Sequence, residues 1–403
     1  MEQEGSDSEG VMVRHLAGRC SQDDREGLAI SAETLLEALQ AGQGVDLEGV
    51  VVNGDLMLDR LPLEPVNLED LPSPLIREAL TREGLKEVRV IKGPLIIRNA
   101  DVRGSLATNL IAGEFLLIKG PVIMTGTTFQ RSLDFSRTAF YQPIDFSGAS
   151  ILHEGFFIRA LFNADADFEK TAFGTHSRFH KAVFGGKASF TGAGFNGLAE
   201  FLEVTFKKDA GFSRTVFKMG TGFSGSQFLQ VLDFSEATFE REAFFRFTKF
   251  EGDAYFRRTT FQNTADFTQA KFGGVSDFTK VLFQVRPLVT GTKIPAGERP
   301  LGGLQDSRVQ VGILILIFVF VVVFLLLFRR NEREGQWGRV SPQHIEEFID
   351  SDHKTWYTSG EGGVPLGFLK SLICWAKEIW NTLNRLIRSS WKPSPARLTC
   401  FFT

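Results

Sequence analysis

Cysteine is scarce in this chain. Its 403 residues include three, Cys20, Cys374 and Cys400, too widely separated for a CxxC pair or a metal-ligand cluster. That excludes a disulfide framework and a zinc-built core. Tyrosine is equally rare, at three residues, and all five tryptophans lie beyond residue 330. An excess of one charge is also missing, since 45 Lys and Arg face 48 Asp and Glu for a net charge of −3. A chain so close to neutral has no bulk attraction to nucleic acid. Residues 1–30 lack the apolar core of a secretory leader and read as a disordered tail.

Catalytic patterns are missing too, and no cofactor or metal site is expected. Gly220-Thr221-Gly222-Phe223-Ser224-Gly225 spells a dinucleotide fingerprint. That motif works only between a strand and a helix, and no helical pattern follows here. His176 and His180 stand four apart, which suits a metal only on a helix. They read as surface histidines.

Phenylalanine is what the chain has in excess, forty residues of it. It recurs at alternating steps of six and five from Phe129 through Phe135, Phe140, Phe146, Phe157, Phe162, Phe168, Phe173, Phe179, Phe184, Phe190, Phe195, Phe201 and Phe206. The series continues through Phe212, Phe217, Phe223, Phe228, Phe234, Phe239, Phe245, Phe250, Phe256, Phe261, Phe267, Phe272, Phe278 and Phe283, with Ile151 as the one substitute. On a helix, a step of six turns through about 240°, so successive rings would scatter over different faces. Short stacked strands place them in register instead. Two residues before most rungs the side chain is small, as in Ala160, Ala166, Thr171, Ala182, Thr215 and Ala254. In a strand these share the ring's face, so each side of the tube holds one large and one small group.

Ala265-Asp266-Phe267-Thr268-Gln269-Ala270-Lys271-Phe272 and Ala166-Asp167-Phe168-Glu169-Lys170-Thr171-Ala172-Phe173 carry a further signal. They resemble the pentapeptide-repeat family, in the variant whose two units read A-D-F-x-x-A-x-F. The resemblance implies an all-β solenoid, a right-handed quadrilateral β-helix. Coils of about 22 residues would give seven over 126–285 and a rod of roughly 34 Å. Some family members mimic DNA and act on topoisomerases, which requires a strongly acidic rod. Lys207-Lys208, Arg246 and Arg257-Arg258 interrupt any acidic stripe here. Asp134, Asp145, Asp167, Asp233, Asp266 and Asp277 each precede a rung and should face outward as turn and solvation residues.

The remaining segments follow from local signals. Ser31 caps a helix over Ala32–Ala41, so 31–44 reads as a cover for the solenoid end. Residues 45–125 alternate Val, Leu and Ile and read as irregular coils of the same tube. A helix that opens at Ser73-Pro74 and closes at Gly84 interrupts them. Pro287, Pro295 and Pro300 mark a linker over 286–308. Val311 to Phe328 is uncharged and long enough, at about 27 Å, to cross a bilayer within 309–330. A polar linker follows over 331–366. Residues 367–403 hold Phe368, Leu372, Trp375, Ile379 and Leu383 at helical spacing opposite Lys370, Lys377 and Arg385. That is the pattern of an amphipathic, Trp-rich helix at a membrane surface or on a partner subunit.

These readings predict a single-pass membrane protein that is not an enzyme, a scaffold presenting a β-helix. Its partners would be the bilayer and another protein, with neither nucleic acid nor a small-molecule substrate. The alternative is a regulatory module of a channel or transporter assembly. Arg329-Arg330 favour a cytoplasmic C-terminus, whereas a missing leader favours a cytoplasmic rod. One span cannot satisfy both, and the leader argument decides for the rod.

Overall fold

The computed structural model describes residues 10–293. They form an all-β solenoid whose successive coils build four sheets of 11, 11, 9 and 10 strands, parallel except where the edge strand Leu63–Pro65 pairs antiparallel with Glu87–Ile91. We number these faces 1 to 4 in the order the chain meets them. At the usual strand spacing, an eleven-stranded face is about 48 Å tall. Face 1 begins with β1 (Val11–His15) and face 2 with β2 (Ile30–Ser31); β1 pairs in parallel with β3 (Gly44–Glu48).

Two expectations need correction at the N-terminal end. The tail read over 1–30 is ordered from residue 10 onward, and the tube starts before residue 45. Helix α1 (Gln22–Gly27) lies between β1 and β2, held by a reciprocal capping box of Ser21 and Asp24. The physical reason is the edge of the first coil. An unpaired row of backbone groups must be covered, and the alternating Val11–His15 supplies a paired strand. Helix α2 (Ala32–Gln40), capped by Ser31, inserts Leu35, Leu36 and Leu39 into the end of the core.

Helix α3 (Pro74–Glu83) is inserted between coils, as expected, and lies against the outside of face 4. Ser73 caps it and Gly84 ends it with a left-handed φ of 67°. Its Ile76 and Leu80 pack with Phe115, Leu117, Ala139 and Leu161, an apolar cluster outside the main core.

Every ladder ring from Phe129 to Phe267 is buried to 2% exposure or less, and Phe272 to 7%. Rings one coil apart lie almost parallel: Phe179 to Phe201 is 4.7 Å at 2°, and Phe201 to Phe223 is 4.8 Å at 6°. Rings from faces 1 and 3 meet edge to face across the tube, as Phe190 with Phe201 at 5.4 Å and 89°. Both geometries suit the ring quadrupole. Each buried ring contributes about 1.5–3 kcal/mol as an upper bound. The interior is therefore a filled core.

The small partners also bond. Thr171 Oγ1 donates to the Phe146 carbonyl at 2.8 Å, Thr215 to Phe190 at 2.7 Å and Thr248 to Phe223 at 2.9 Å. Gly186 sits in the bend after Phe184. A Cβ there would stand 2.3 Å from the Ala164 carbonyl carbon, so glycine permits the close approach of coils.

The C-terminal boundary also shifts. Residues 286–293, expected as linker, extend the tube by a partial coil in which Leu288 bridges to Asp266 and Lys293 to Lys271. Phe278 and Phe283, the last rungs, are only partly buried. The segments 294–308, 309–330, 331–366 and 367–403, with the span Val311 to Phe328, lie outside the described residues. Among the described residues, no helix is long and apolar enough to cross a membrane.

Candidate functional site: the outward side of face 3

A filled interior leaves chemistry to the outward positions, which alternate with the rungs. On face 2 they stack as a plain column that includes Ser150, Ala172, Gly194, Val216 and Thr238. On face 3 the corresponding column is Phe156, Arg178, Glu200, Gly222, Phe244 and Asp266. Outward rings and ion pairs thus meet on face 3, as they also do at Tyr255 on face 1, where Arg257 lies 4.4 Å from the ring centroid and pairs with Asp277.

Glu200 is the electrostatic centre of the lower part. One of its oxygens lies 2.8 Å from His176 Nε2, 2.9 Å from Arg178 Nε and 3.3 Å from His180 Nε2. Burial pushes its carboxyl up, but the bonds to His176 and Arg178 outweigh that and hold it below the usual range. Burial also lowers His180, aided by Arg178 and His176 and opposed by Glu200. The Arg178 guanidinium lies over the Phe156 ring, 5.5 Å from its centroid. Higher up, Arg246 stacks over Phe244 at 5.1 Å and pairs with Asp266.

The predicted residues divide among several places. His176 and His180 meet as neighbours, and Glu200 from the next coil joins them. It was missed, although a coil of 22 residues places Glu200 directly above Arg178. Asp145, Asp167, Asp233 and Asp277 stand on face 1, whereas Asp134 and Asp266 stand on face 3. Each accepts the backbone N–H two residues on, at 2.7–2.9 Å. Asp266 departs from the outward, solvated reading, because its side chain is buried beneath Arg246. Burial raises its carboxyl, and bonds from Thr268 and Arg246 bring it below its ordinary value. Gly220–Gly225 is a strand and a corner with the next strand after it, so the phosphate-binding helix is absent. Among the described residues, no group of three His, Cys, Asp or Glu is arranged to hold a metal.

Also missed were Phe156, Phe244 and Phe247. Phe156-Phe157 and Phe244-Phe245 are doublets, and adjacent strand residues face opposite sides. One ring of each pair therefore had to point out.

Residues 190–238 and 234–282 match the family description "Pentapeptide repeats (9 copies)". This stretch carries pentapeptide repeats. No curated protein and no solved structure matches the chain. The pentapeptide-repeat β-helix thus offers a four-sided surface, with His176, Arg178 and Glu200 clustered on face 3. Its arrangement suits binding: Glu200 is already engaged by three neighbours, and Phe156 and Phe244 are each covered by an arginine.

Proposed function

We propose that this protein is a non-enzymatic scaffold, anchored to a membrane through Val311 to Phe328, whose pentapeptide-repeat β-helix binds a partner protein on face 3. One observation carries the reading: the tube is filled, and its outward phenylalanines and the His176–Arg178–Glu200 cluster lie on the same face. Rigid presentation reduces the ordering cost of association. The rod lies on the cytoplasmic side.

A photo-crosslinking residue placed at exposed Leu198 on face 3, and in parallel at Thr238 on face 2, tests the binding face in membranes. A defined partner captured from Leu198 and not from Thr238 is expected; equal capture overturns the assignment. A stoichiometric channel or transporter subunit as that partner would make the rod a module of that assembly. Recovery of the full chain in the soluble fraction without detergent would overturn the anchor. Protease protection in sealed vesicles reads the side of the rod.

A further inference from the structure

The two ends of the tube differ. At the lower end α2 inserts Leu35, Leu36 and Leu39 into the core. Among the described residues no helix follows the last coil, and Phe278, Val281 and Phe283 stay only partly buried there. The outside of that coil changes character too. Register sets Leu282 above Thr260 and Leu288 above Asp266, and Val285 follows Asn263 by one coil. Three polar outward positions thus become apolar. The side chains that replace them, Leu282, Leu288 and Val285, are 53%, 46% and 43% exposed.

The charge of this end is positive. Residues 264–293 hold four cations, Lys271, Lys280, Arg286 and Lys293, and two carboxylates, Asp266 and Asp277. Both carboxylates are already paired, with Arg246 and Arg257 of the coil below. The four cations have no carboxylate partner among the described residues. The other carboxylates of the coil below are Glu242, Glu251 and Asp253. Glu242 stands two coils beneath Arg286. Glu251 is flanked by the unpaired Lys249, and Asp253 accepts from the Tyr255 hydroxyl and the Val275 N–H. Over residues 242–293, eight cations face five carboxylates, and from Phe278 onward there are three cations and no carboxylate.

Edge protection accounts for only part of this. Lysine commonly guards a terminal strand, yet Lys249 and Lys271 stand behind the edge. With Lys293 they form one outward column in register on face 4. Like charges directly opposite each other cost stability. An anionic surface at the rim would offset that cost. A second copy set end to end would not, because it brings the same cations together. A layer of anionic lipid headgroups suits both features, since it attracts the cations and admits the apolar side chains. The rim is also the part of the tube closest in sequence to the proposed anchor, with Val311 eighteen residues beyond Lys293.

We propose that the upper end of the β-helix seats on the anionic surface of a phospholipid bilayer, with Leu282, Val285 and Leu288 in the headgroup layer and Lys280, Arg286 and Lys293 on lipid phosphates. The inference rests on the membrane reading and deepens it, because the rod then stands end-on on the lipid and leaves face 3 free for a partner.

The test uses the full chain reconstituted in vesicles of phosphatidylcholine, alone or mixed with phosphatidylglycerol. A photo-crosslinking residue replaces Val285 or, in parallel, Met219, which is exposed on the same corner three coils lower. Mass spectrometry reads the adducts. In the mixed vesicles Val285 should give about tenfold more lipid adduct than in phosphatidylcholine alone, and about tenfold more than Met219 gives. Lys280→Glu, Arg286→Glu and Lys293→Glu together should abolish the dependence on phosphatidylglycerol and retain the β-helix circular dichroism. Equal adducts from Val285 and Met219, or equal yields in both lipids, overturn the seating. Crosslinks from Val285 to a second copy, or to this chain beyond residue 330, in place of lipid also overturn it. The anchor and the seating fail separately. A chain that stays with the vesicles while Val285 gives no lipid adduct keeps the anchor and loses the seating. A chain that is soluble without detergent, yet floats with the mixed vesicles and no longer does so as the triple variant, loses the anchor and keeps the seating.

Discussion

The lower coils, filled with Val, Leu and Ile, and the upper coils, filled with Phe, solve the same packing problem differently. On face 1 Val45 pairs with Leu95, Leu95 with Val122 and Val122 with Ile144, intervals of 50, 27 and 22 residues. Above that point the interval stays at 22, as Ile144 with Ala166 and Ala166 with Ala188. Aliphatic groups interdigitate without a fixed mutual orientation, so the lower coils accept an insertion such as α3. Stacked rings accept none, because an offset of a few ångströms would remove the contact with the rings above and below. The lower coils in turn depend on helices: α2 closes the end of the core, and α3 covers face 4. The ladder coils depend on one another, as expected of a solenoid stabilised by neighbour contacts.

The largest expected effect tests that dependence. Phe201→Ala removes a ring in contact with Phe179, Phe223, Phe190, Phe195 and Phe212. It should destabilise by about 3–5 kcal/mol in chemical denaturation, with Ile97→Ala in the aliphatic coils nearer the lower end of a 2–5 kcal/mol range. Hydrogen exchange should show the Phe201 loss spreading to the coils on both sides. A loss below about 1 kcal/mol, or one confined to a single coil, would contradict the stacked-ring account.

The next effect concerns the small partner of each ring. Thr215→Val keeps the shape and removes the donor to the Phe190 carbonyl. The Phe190 carbonyl keeps the Ala193 N–H, so the loss is that of one hydrogen bond, about 0.5–1.5 kcal/mol. If Thr215→Val proves neutral, these residues are fillers only. In the lower half, Ser73 caps α3 and also donates to Asn163 Oδ1 at 2.5 Å, tying the helix to a ladder coil. Ser73→Ala should cost roughly 1 kcal/mol, with exchange rising in α3 before the ladder responds. Simultaneous loosening of both regions would mean that the two halves are not separable.

The same contrast governs what the sequence could reveal. Ring spacing and strand parity rest on local geometry, so the ladder, its small partners and the interior were legible from Phe129 onward. The caps of α2 and α3 were legible because Ser31, Ser73 and Gly84 act within one turn. The first strand was not, since Val11–His15 is only five residues within a polar stretch. Residues 286–293 were misread because Pro287 marks a turn whether or not the coil continues. The Glu200 cluster required comparing residues 22 apart on the outside as well as the inside. The outward role of Phe244 was written in its doublet with Phe245 but concealed by the abundance of ladder rings. Phe247 carried no such signal, because the corner's left-handed conformation comes from the stacking of coils.

The smallest effect is acidic and belongs to the ladder side of the comparison. His180 is held below its usual 6.5, chiefly by burial. The folded form therefore binds its proton less readily than the unfolded chain. Its contribution is fully present above about pH 6.5 and is lost as pH falls through the folded value. Glu200, held below 4.5 despite burial, contributes above about pH 4.5 and loses that contribution at lower pH through its folded value. Both losses lie on the acid side and add in sequence, His180 first. Lowering the pH from 7.5 to 5.5 should therefore lower the denaturation midpoint modestly, with exchange rising first in the coils around 176–200. In His180→Gln the midpoint should vary less over that interval, while the fall below pH 4.5 remains. A variant as pH-sensitive as the parent between 7.5 and 5.5 would place the titrating group elsewhere and leave the His176–Arg178–Glu200 cluster a static feature of face 3.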